Sequence, residues 1–129
     1  MTSEQRDGSS PKHVTRDVDP AAVGDLRDRP PRATVAFADG DAVDLLPATA
    51  RFSSGAYQFA VLANVSPDLS HREVVLVIDD GPYWFELRGI SVRGTAEHPV
   101  VAAGAGGLVW YAIDARRILA WDYGAIREE

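Results

Sequence analysis

The most constraining feature of this sequence is a series of short segments of alternating polarity, separated by turn motifs that contain glycine. Residues 33–37 alternate in this way, and Asp39-Gly40 follows directly. An Asp-Gly pair between two alternating segments is a strong signal for a tight antiparallel hairpin. The tripeptide Ser53-Ser54-Gly55 marks a second turn, before another alternating segment at residues 57–61. The pattern therefore predicts consecutive antiparallel strands.

Further strands carry more specific signals. Residues 43–52 contain Pro47, which has no N–H to donate, so this strand is expected at an edge or at a bulge. Residues 74–78 are apolar at every position, which predicts a central strand covered on both faces. In the longest segment, residues 83–98, the apolar positions change from odd to even across Gly89. Because side chains alternate strictly along a strand, this change predicts a β-bulge at Gly89.

Helical signals are few and short. Asp19 can cap a helix that has Pro20 in its first turn, whereas Gly24 weakens that helix and Pro30-Pro31 ends it. Residues 63–72 form a polar linker with room for at most one or two helical turns. About six strands with one or two short helices predict a mainly β fold, a small antiparallel barrel.

The C-terminal part carries two apolar segments, residues 108–113 and 118–124, and residues 114–117 between them are expected to form a single helical turn. Adjacent residues of a strand point to opposite faces, so Trp110 and Tyr111 cannot both enter the barrel. The same holds for the pair Tyr83-Trp84. One aromatic ring of each pair should lie outside the barrel, against a helix, a dimer partner or a ligand, and a dimer interface is favoured because large aromatic residues anchor interfaces.

Composition divides the chain and excludes several classes of protein. Residues 1–19 have almost no large apolar side chains and are expected to be a flexible tail, followed by one domain at residues 20–129. The sequence has 0 cysteines, which excludes disulfides, thiolate metal sites and a cysteine nucleophile. No apolar run reaches the roughly 18 residues that span a bilayer, and the polar start does not resemble a signal peptide. A cytoplasmic protein with no membrane partner is expected.

The negative charge is unevenly distributed. The formal net charge is −6, while residues 1–32 carry six basic and six acidic side chains, so the whole excess lies in the remaining chain. An acidic body repels nucleic-acid phosphates, which argues against a nucleic-acid partner.

Catalytic motifs are absent. The three histidines have no metal-ligand spacing, so no metal site is expected. The paired carboxylates Asp79-Asp80 and Asp39-Gly40-Asp41 stand at turn signals, where aspartate is favoured for its backbone hydrogen bonds. No serine has the Gly-x-Ser-x-Gly context of a hydrolase. The sequence therefore assigns no catalytic residue.

Two strings add a family resemblance to this order of strands. Val92-Arg-Gly-Thr-Ala-Glu97 and Trp121-Asp-Tyr-Gly124, together with the segments before them, resemble the pyridoxamine 5′-phosphate oxidase-like superfamily of FMN-binding split β-barrels, which includes F420-dependent reductases. The resemblance implies a homodimer that binds FMN or F420 in a cleft between two barrels and acts as an oxidoreductase on a small-molecule substrate by hydride transfer.

The resemblance also implies a set of cofactor contacts from the strands, the linker and the C-terminal segment. The candidate residues are Thr49, Arg51, Val61, Asn64, Ser66, Arg72 and Trp121. The sequence departs from the family where phosphate-binding cations usually stand, because residues 57–70 contain neither Arg nor Lys. The alternative is therefore a cofactor-free split barrel that binds another ligand or serves in assembly. For Arg51, the alternative to an anion contact is a surface pair with an aspartate.

Overall fold

A computed structural model describes residues 17–81, 87–101 and 107–123 of the chain. Within these ranges the fold is mainly β, as predicted. The strands are β1 Asp17–Val18, β2 Arg32–Asp39, β3 Ala42–Ser53, β4 Ala56–Leu62, β5 Glu73–Asp80, β6 Arg88–Val101 and β7 Leu108–Asp122. A 3₁₀ turn, Pro20–Val23, continues into the short helix α1, Gly24–Asp28.

The strands form a closed antiparallel barrel. Their order is β1-β7-β4-β3-β2-β5-β6, and β6 also pairs with β7, which closes a barrel of six strands. The short strand β1 adds to β7 next to Ala120 and Trp121. Residues 17 and 18, at the end of the predicted tail, therefore pair with the barrel, while residues 1–16 lie outside the described residues.

Two tight hairpins confirm the turn predictions. Asp39 pairs with Ala42, and Gly40 between them has a φ of 64°. In the second hairpin Ser53 pairs with Ala56, and Ser54 and Gly55 have φ values of 55° and 78°. A two-residue loop with positive φ matches the twist of the strands that it connects, which explains why glycine stands in both loops.

The strand that contains Pro47 changes partner along its length. Residues 42–48 pair with β2, and residues 49–53 pair with β4. Pro47 therefore lies on a stretch whose described pairing is on one side only, which confirms the predicted edge position. Val43 and Leu45 on the same stretch are 70% and 65% exposed.

The bulge predicted at Gly89 is wrong. Gly89 pairs regularly with Asp79 on one side and with Trp121 on the other. The first of three register shifts between β6 and β7 lies further along, where Arg93 pairs with Arg117 but Gly94 pairs with Ala115, so that Arg116 is the extra residue. Glycine is needed at position 89 because a Cβ there would overlap the Trp121 ring. Residues 82–86, which supplied part of the parity pattern, lie outside the described residues.

The helical turn predicted at residues 114–117 is also wrong, because β7 continues through it. All four residues are exposed, and Arg116 is the extra residue of a bulge within the strand. The linker at residues 63–72 forms turns and no helix, and Asp68 Oδ1 accepts a hydrogen bond of 2.9 Å from the Ser70 N–H.

The N-terminal helical segment begins and ends as predicted. The Asp19 side chain accepts a hydrogen bond of 2.9 Å from the Ala21 N–H and thereby caps the 3₁₀ turn. Helix α1 ends at Asp28, before Pro30-Pro31. Val23 and Leu26 are buried in the barrel core, so this segment closes one end of the barrel.

The core is the interior of the barrel. The inner face of β5 is fully buried, whereas Val75 and Val77 on its outer face are only half-buried, so the strand is completely covered on one face. Leu69 from the linker is also fully buried in this core. Two segments outside the sheet therefore close the barrel, α1 with the 3₁₀ turn at one end and the linker at the other.

Candidate functional site

A cleft of about 520 Å³ lies where the end of β4, the linker and the start of β7 meet. We call it the linker cleft. Its apolar wall consists of Val61, Val109 and the ring of Tyr111. Its polar wall comes from the linker and contains Ser66, Asp68, Ser70 and His71.

Backbone hydrogen bonds fix the polar wall in place. The His71 N–H donates to the Ala96 carbonyl at 2.6 Å, and the Ala96 N–H donates to the Arg72 carbonyl at 2.9 Å. His71 has a φ of 67°, a left-handed conformation that is costly for a residue other than glycine. The two hydrogen bonds to β6 offset this cost, so the linker is held firmly against the sheet.

Tyr111 connects the two walls. Its ring stacks on Phe59 with the ring centroids 5.4 Å apart, and the residue is 3% exposed. Its hydroxyl oxygen accepts a hydrogen bond of 3.2 Å from the Leu69 N–H. Among the described residues, no group accepts the hydroxyl proton in return. Trp110, the next residue, lies on the outer face of β7, which confirms that this aromatic pair divides between the two faces.

Arg51 lies on the outer face of the barrel and is held by neutral groups. Its Nε donates to Gln58 Oε1 at 2.6 Å, and its guanidinium stacks over the Trp110 ring at 3.9 Å. Gln58 is 7% exposed, since the guanidinium and the indole ring cover it. The pairing of Arg51 with an aspartate, weighed from the sequence, is therefore wrong.

The structure brings together only part of the predicted contact set. Val61 and Ser66 line the linker cleft. Asn64 lies in the exposed first turn of the linker, outside the cleft lining. Thr49 is exposed on β3, where it pairs with Ala60. These four positions, with Arg51, occupy the neighbouring strands β3 and β4 and the linker.

The other two predicted contact residues lie elsewhere. The Arg72 Nη1 donates to the Ala38 carbonyl at 3.4 Å, across the end of β2. Trp121 pairs with Asp17 and Gly89 near α1, at the opposite end of the barrel from the linker. Within one copy of the chain, Trp121 and the linker cleft are therefore separate.

Seven residues of the cleft were not predicted as contacts, namely Ala63, Pro67, Asp68, Ser70, His71, Val109 and Tyr111. The alternation of residues 109–113 could have indicated that Val109 and Tyr111 share the inner face. No sequence signal showed that the linker would fold over them, because that contact depends on the pairing of the linker with β6.

The opposite end of the barrel is held by charges. Arg88 Nη1 and Nη2 donate to the two carboxylate oxygens of Asp25 at 3.2 and 2.8 Å, and Nη2 also donates to Asp80 at 3.2 Å. The hydrogen bond from Arg88 lowers the pKa of Asp25, and the same bond raises the pKa of Arg88. These contacts tie α1 to β5 and β6.

No group of three metal-binding side chains is placed to hold an ion in the described parts of the chain. No helix in the described ranges has the length and apolar character needed to cross a bilayer.

Comparison with known proteins identifies the fold. No family model and no curated protein matches the sequence. Among solved structures, the FAD binding protein from Mycobacterium smegmatis matches with a TM-score of 0.62 and 13% identity, over 82% of this chain and 96% of that protein. A conserved hypothetical protein from Mycobacterium tuberculosis matches with a TM-score of 0.63 and 18% identity, over 89% and 91% of the two chains.

A provisionally assigned pyridoxamine 5′-phosphate oxidase from Corynebacterium glutamicum matches with a TM-score of 0.60 and 14% identity, over 86% of this chain and 94% of that one. Matches at sequence identities this low show a shared fold and do not show a shared activity. The six-stranded closed barrel and these neighbours agree with the family resemblance in the sequence. The chain therefore shares the fold of these proteins, a six-stranded split β-barrel.

Proposed function

We propose that this protein binds a flavin-type cofactor, FMN or F420, in the linker cleft and acts as an oxidoreductase on a small molecule. The observation that carries this proposal is the position and lining of the cleft, which combines an apolar wall of Val61, Val109 and Tyr111 with polar groups from the linker. Fold likeness to a FAD binding protein supports it. A bound flavin would supply the hydride chemistry, and the barrel would supply orientation and shielding from water.

The ring of a flavin fits this cleft. Small-molecule pockets usually enclose about 300–1,000 Å³ and are mostly apolar with a few polar groups. The linker cleft, at about 520 Å³, falls within that range. The aliphatic side chains of Val61 and Val109 offer apolar surface to a ring, and the linker offers hydrogen-bonding groups to its edge.

The phosphate of FMN or F420 does not fit the described cleft. A phosphate that leaves water needs charge-assisted hydrogen bonds or the N-terminus of a helix. The described lining contains neither Arg nor Lys, it includes the carboxylate of Asp68, and the linker forms no helix. We therefore assign no step of a reaction to these residues.

We also propose that the protein is a homodimer. The pairing register places Leu45, Ala36 and Val75 side by side across β3, β2 and β5, and this apolar row ends at Arg93 and Arg117 of β6 and β7. Leu45, at one end of this row, is 65% exposed, and adjoining exposed apolar side chains mark interaction surfaces. Two copies related by a twofold axis could bury this row against itself.

The cofactor proposal is tested by the absorption spectrum of the purified protein and by titration with FMN and with F420. We expect binding of at least one of them at micromolar concentration. Ala63→Trp should fill the cleft and weaken binding at least tenfold, since Ala63 is an exposed lining residue whose backbone N–H donates to Gly107 O whatever its side chain. Ala21→Trp, at the other end of the barrel, is the matched control and should bind as the wild type does.

The second candidate is a cofactor-free split barrel that binds another small ligand. The observation in its favour is the cleft lining without Arg or Lys. A colourless protein that binds neither FMN nor F420 at micromolar concentration, while remaining folded, would decide for this candidate and against the oxidoreductase.

A further inference from the structure

We infer that the linker cleft recognises an uncharged planar ring. A carbonyl oxygen at the edge of this ring accepts a hydrogen bond from the Tyr111 hydroxyl, and a phosphate contributes nothing to binding in the cleft. The inference rests on the proposed function and makes it more specific. The ligand class becomes a phosphate-free isoalloxazine or deazaflavin ring, and FMN, where it binds, is held by its ring alone.

The hydroxyl group of Tyr111 has an unsatisfied donor. The residue is 3% exposed and lines the cleft, and its hydroxyl oxygen already accepts from Leu69. A phenol hydroxyl is both donor and acceptor. A buried donor without an acceptor is unfavourable, and no described residue accepts this proton. A carbonyl oxygen in the cleft would satisfy it and would leave the bond to the Leu69 N–H in place.

The charge of the cleft also bears on phosphate binding. Asp68 lines it, and the described lining contains neither Arg nor Lys. The two arginines nearest in sequence are engaged elsewhere. Arg51 is held on the outer face by Gln58 and Trp110, and Arg72 reaches the Ala38 carbonyl. A phosphate dianion in this cleft would therefore face a carboxylate without a compensating arginine, which disfavours it.

The test compares the affinities of riboflavin and FMN, which share the same ring, by fluorescence titration of the wild-type protein at low and at high salt. We expect the two dissociation constants to agree within about threefold and to change little with salt, because screening acts on charge pairs. FMN binding more than tenfold tighter than riboflavin would overturn the inference while the proposed function stood. Binding of neither compound would overturn both.

Tyr111→Phe tests the hydrogen bond itself. Losing the hydroxyl should weaken the binding of riboflavin and of FMN equally, by about tenfold, because the ring carbonyl then lacks its hydrogen-bond donor. Tyr57→Phe is the matched control, since Tyr57 is 6% exposed and lies against Phe52 at the start of β4, away from the linker. Equal affinity of Tyr111→Phe and wild type for riboflavin would contradict the inference, provided that thermal melting shows both to be folded.

Asp68→Asn provides a variant that does not alter the core. An asparagine oxygen can still accept from the Ser70 N–H, so the turn is retained while the charge is lost. We expect FMN affinity to rise by no more than about threefold relative to riboflavin affinity as a like charge is removed. A fall in FMN affinity would show that Asp68 supports the phosphate, against the inference.

Discussion

Arg88 is the residue that fastens the N-terminal helix to the barrel. Its guanidinium makes a bidentate contact with Asp25 of α1 and a further contact with Asp80 of β5. The planar fork of arginine suits a carboxylate held in this way, which a lysine could not reproduce. One side chain of β6 therefore sets the position of α1 above the end of the barrel.

Replacing Asp25 by asparagine should make stability less dependent on pH in acid. The pKa of Asp25 is lower in the folded protein than its usual 3.8, so its stabilising effect is full above that value and is lost as the pH falls through the folded pKa. Because the carboxylate is well exposed, we expect Asp25→Asn to lower the free energy of unfolding at pH 7 by under ~1 kcal/mol.

Urea unfolding at pH 7 and near pH 3 measures this effect. The difference between wild type and Asp25→Asn should shrink at the lower pH, because the stabilising effect of the carboxylate declines below its usual pKa of 3.8. Asp44→Asn, at an exposed position of β3, is the control and should leave stability nearly unchanged at both values. A difference that grows in acid would contradict the assignment.

Gly89 is a second position where a single residue matters. The Trp121 ring covers it so closely that a Cβ would overlap the indole carbons. We expect Gly89→Ala to destabilise the protein by about 1–3 kcal/mol, because the ring must move out of a well-packed position. Chemical unfolding measures the change.

Gly24→Ala is the matched control for Gly89→Ala. Its backbone has φ −60° and ψ −24°, and a Cβ there meets nothing within 4 Å. This substitution should be neutral or slightly stabilising, since alanine favours the helical conformation. Equal effects of the two substitutions would show that the Trp121 contact is unimportant.

At the scale of elements, the barrel is closed by two short segments rather than by strands. Val23 and Leu26 enter one end from the N-terminal helical segment, and Leu69 enters the other end from the linker. Each segment is too short to fold alone, so apolar contact with the barrel must hold it in place.

Leu26→Ala tests this closure. Leu26 is 2% exposed, and truncating a buried leucine costs about 2–5 kcal/mol through lost contact and the cavity left behind. We expect a loss in that range by chemical unfolding. Ala22→Ser, an exposed position on the same segment, should change stability by less than ~0.5 kcal/mol. A loss below 1 kcal/mol for Leu26→Ala would mean that the segment docks only loosely.

Local signals allowed the hairpins and the start of the helix to be predicted. Gly40, Gly55 and Asp19 act within two or three residues of themselves, so their effects are readable from sequence. The bulge was predicted at the wrong position because the need for glycine at position 89 comes from Trp121, which lies 32 positions further along the chain. The polar residues 114–117 suggested a turn. Their polarity alone could not distinguish a turn from an exposed strand that contains a bulge.

The candidate site was only partly predictable for the same reason. Val61 and Ser66 lie at the end of a strand and in the linker that follows, a location that sequence order gives directly. The environment of Arg51 depends on its register opposite Gln58 and on the approach of Trp110 from β7. Those contacts join distant segments, and no local pattern reports them.

At the scale of the whole molecule, charge and apolar exposure are arranged in complementary positions. The apolar row of Leu45, Ala36 and Val75 begins near the acidic turn at residues 39–41 and ends at Arg93 and Arg117. In a twofold dimer across this row, the arginines of one copy could approach the acidic turn of the other. Arg117 has no partner among the described residues, which leaves it available for such a contact.

Leu45→Glu should separate the proposed dimer. We expect light scattering of the wild type to give twice the chain mass of 13.9 kDa, and the variant to give the mass of one chain, because a charge would be buried in the interface. Circular dichroism should remain unchanged. Ala22→Glu, exposed at the far end of the barrel, should stay dimeric, and a monomeric wild type would rule out the dimer.

The double pairing of β7 has a consequence for how the chain folds during synthesis. This strand pairs with β4 along its first part and with β6 along most of its length. The two pairings that close the barrel therefore cannot form before residues 108–122 have been synthesised. Until the ribosome has released them, β4 and β6 each present an unpaired edge that other chains can join. Closure of the barrel is therefore a late, long-range event, and we expect folding to be slow. We also expect a high protein concentration to favour aggregation of chains whose barrel has not yet closed.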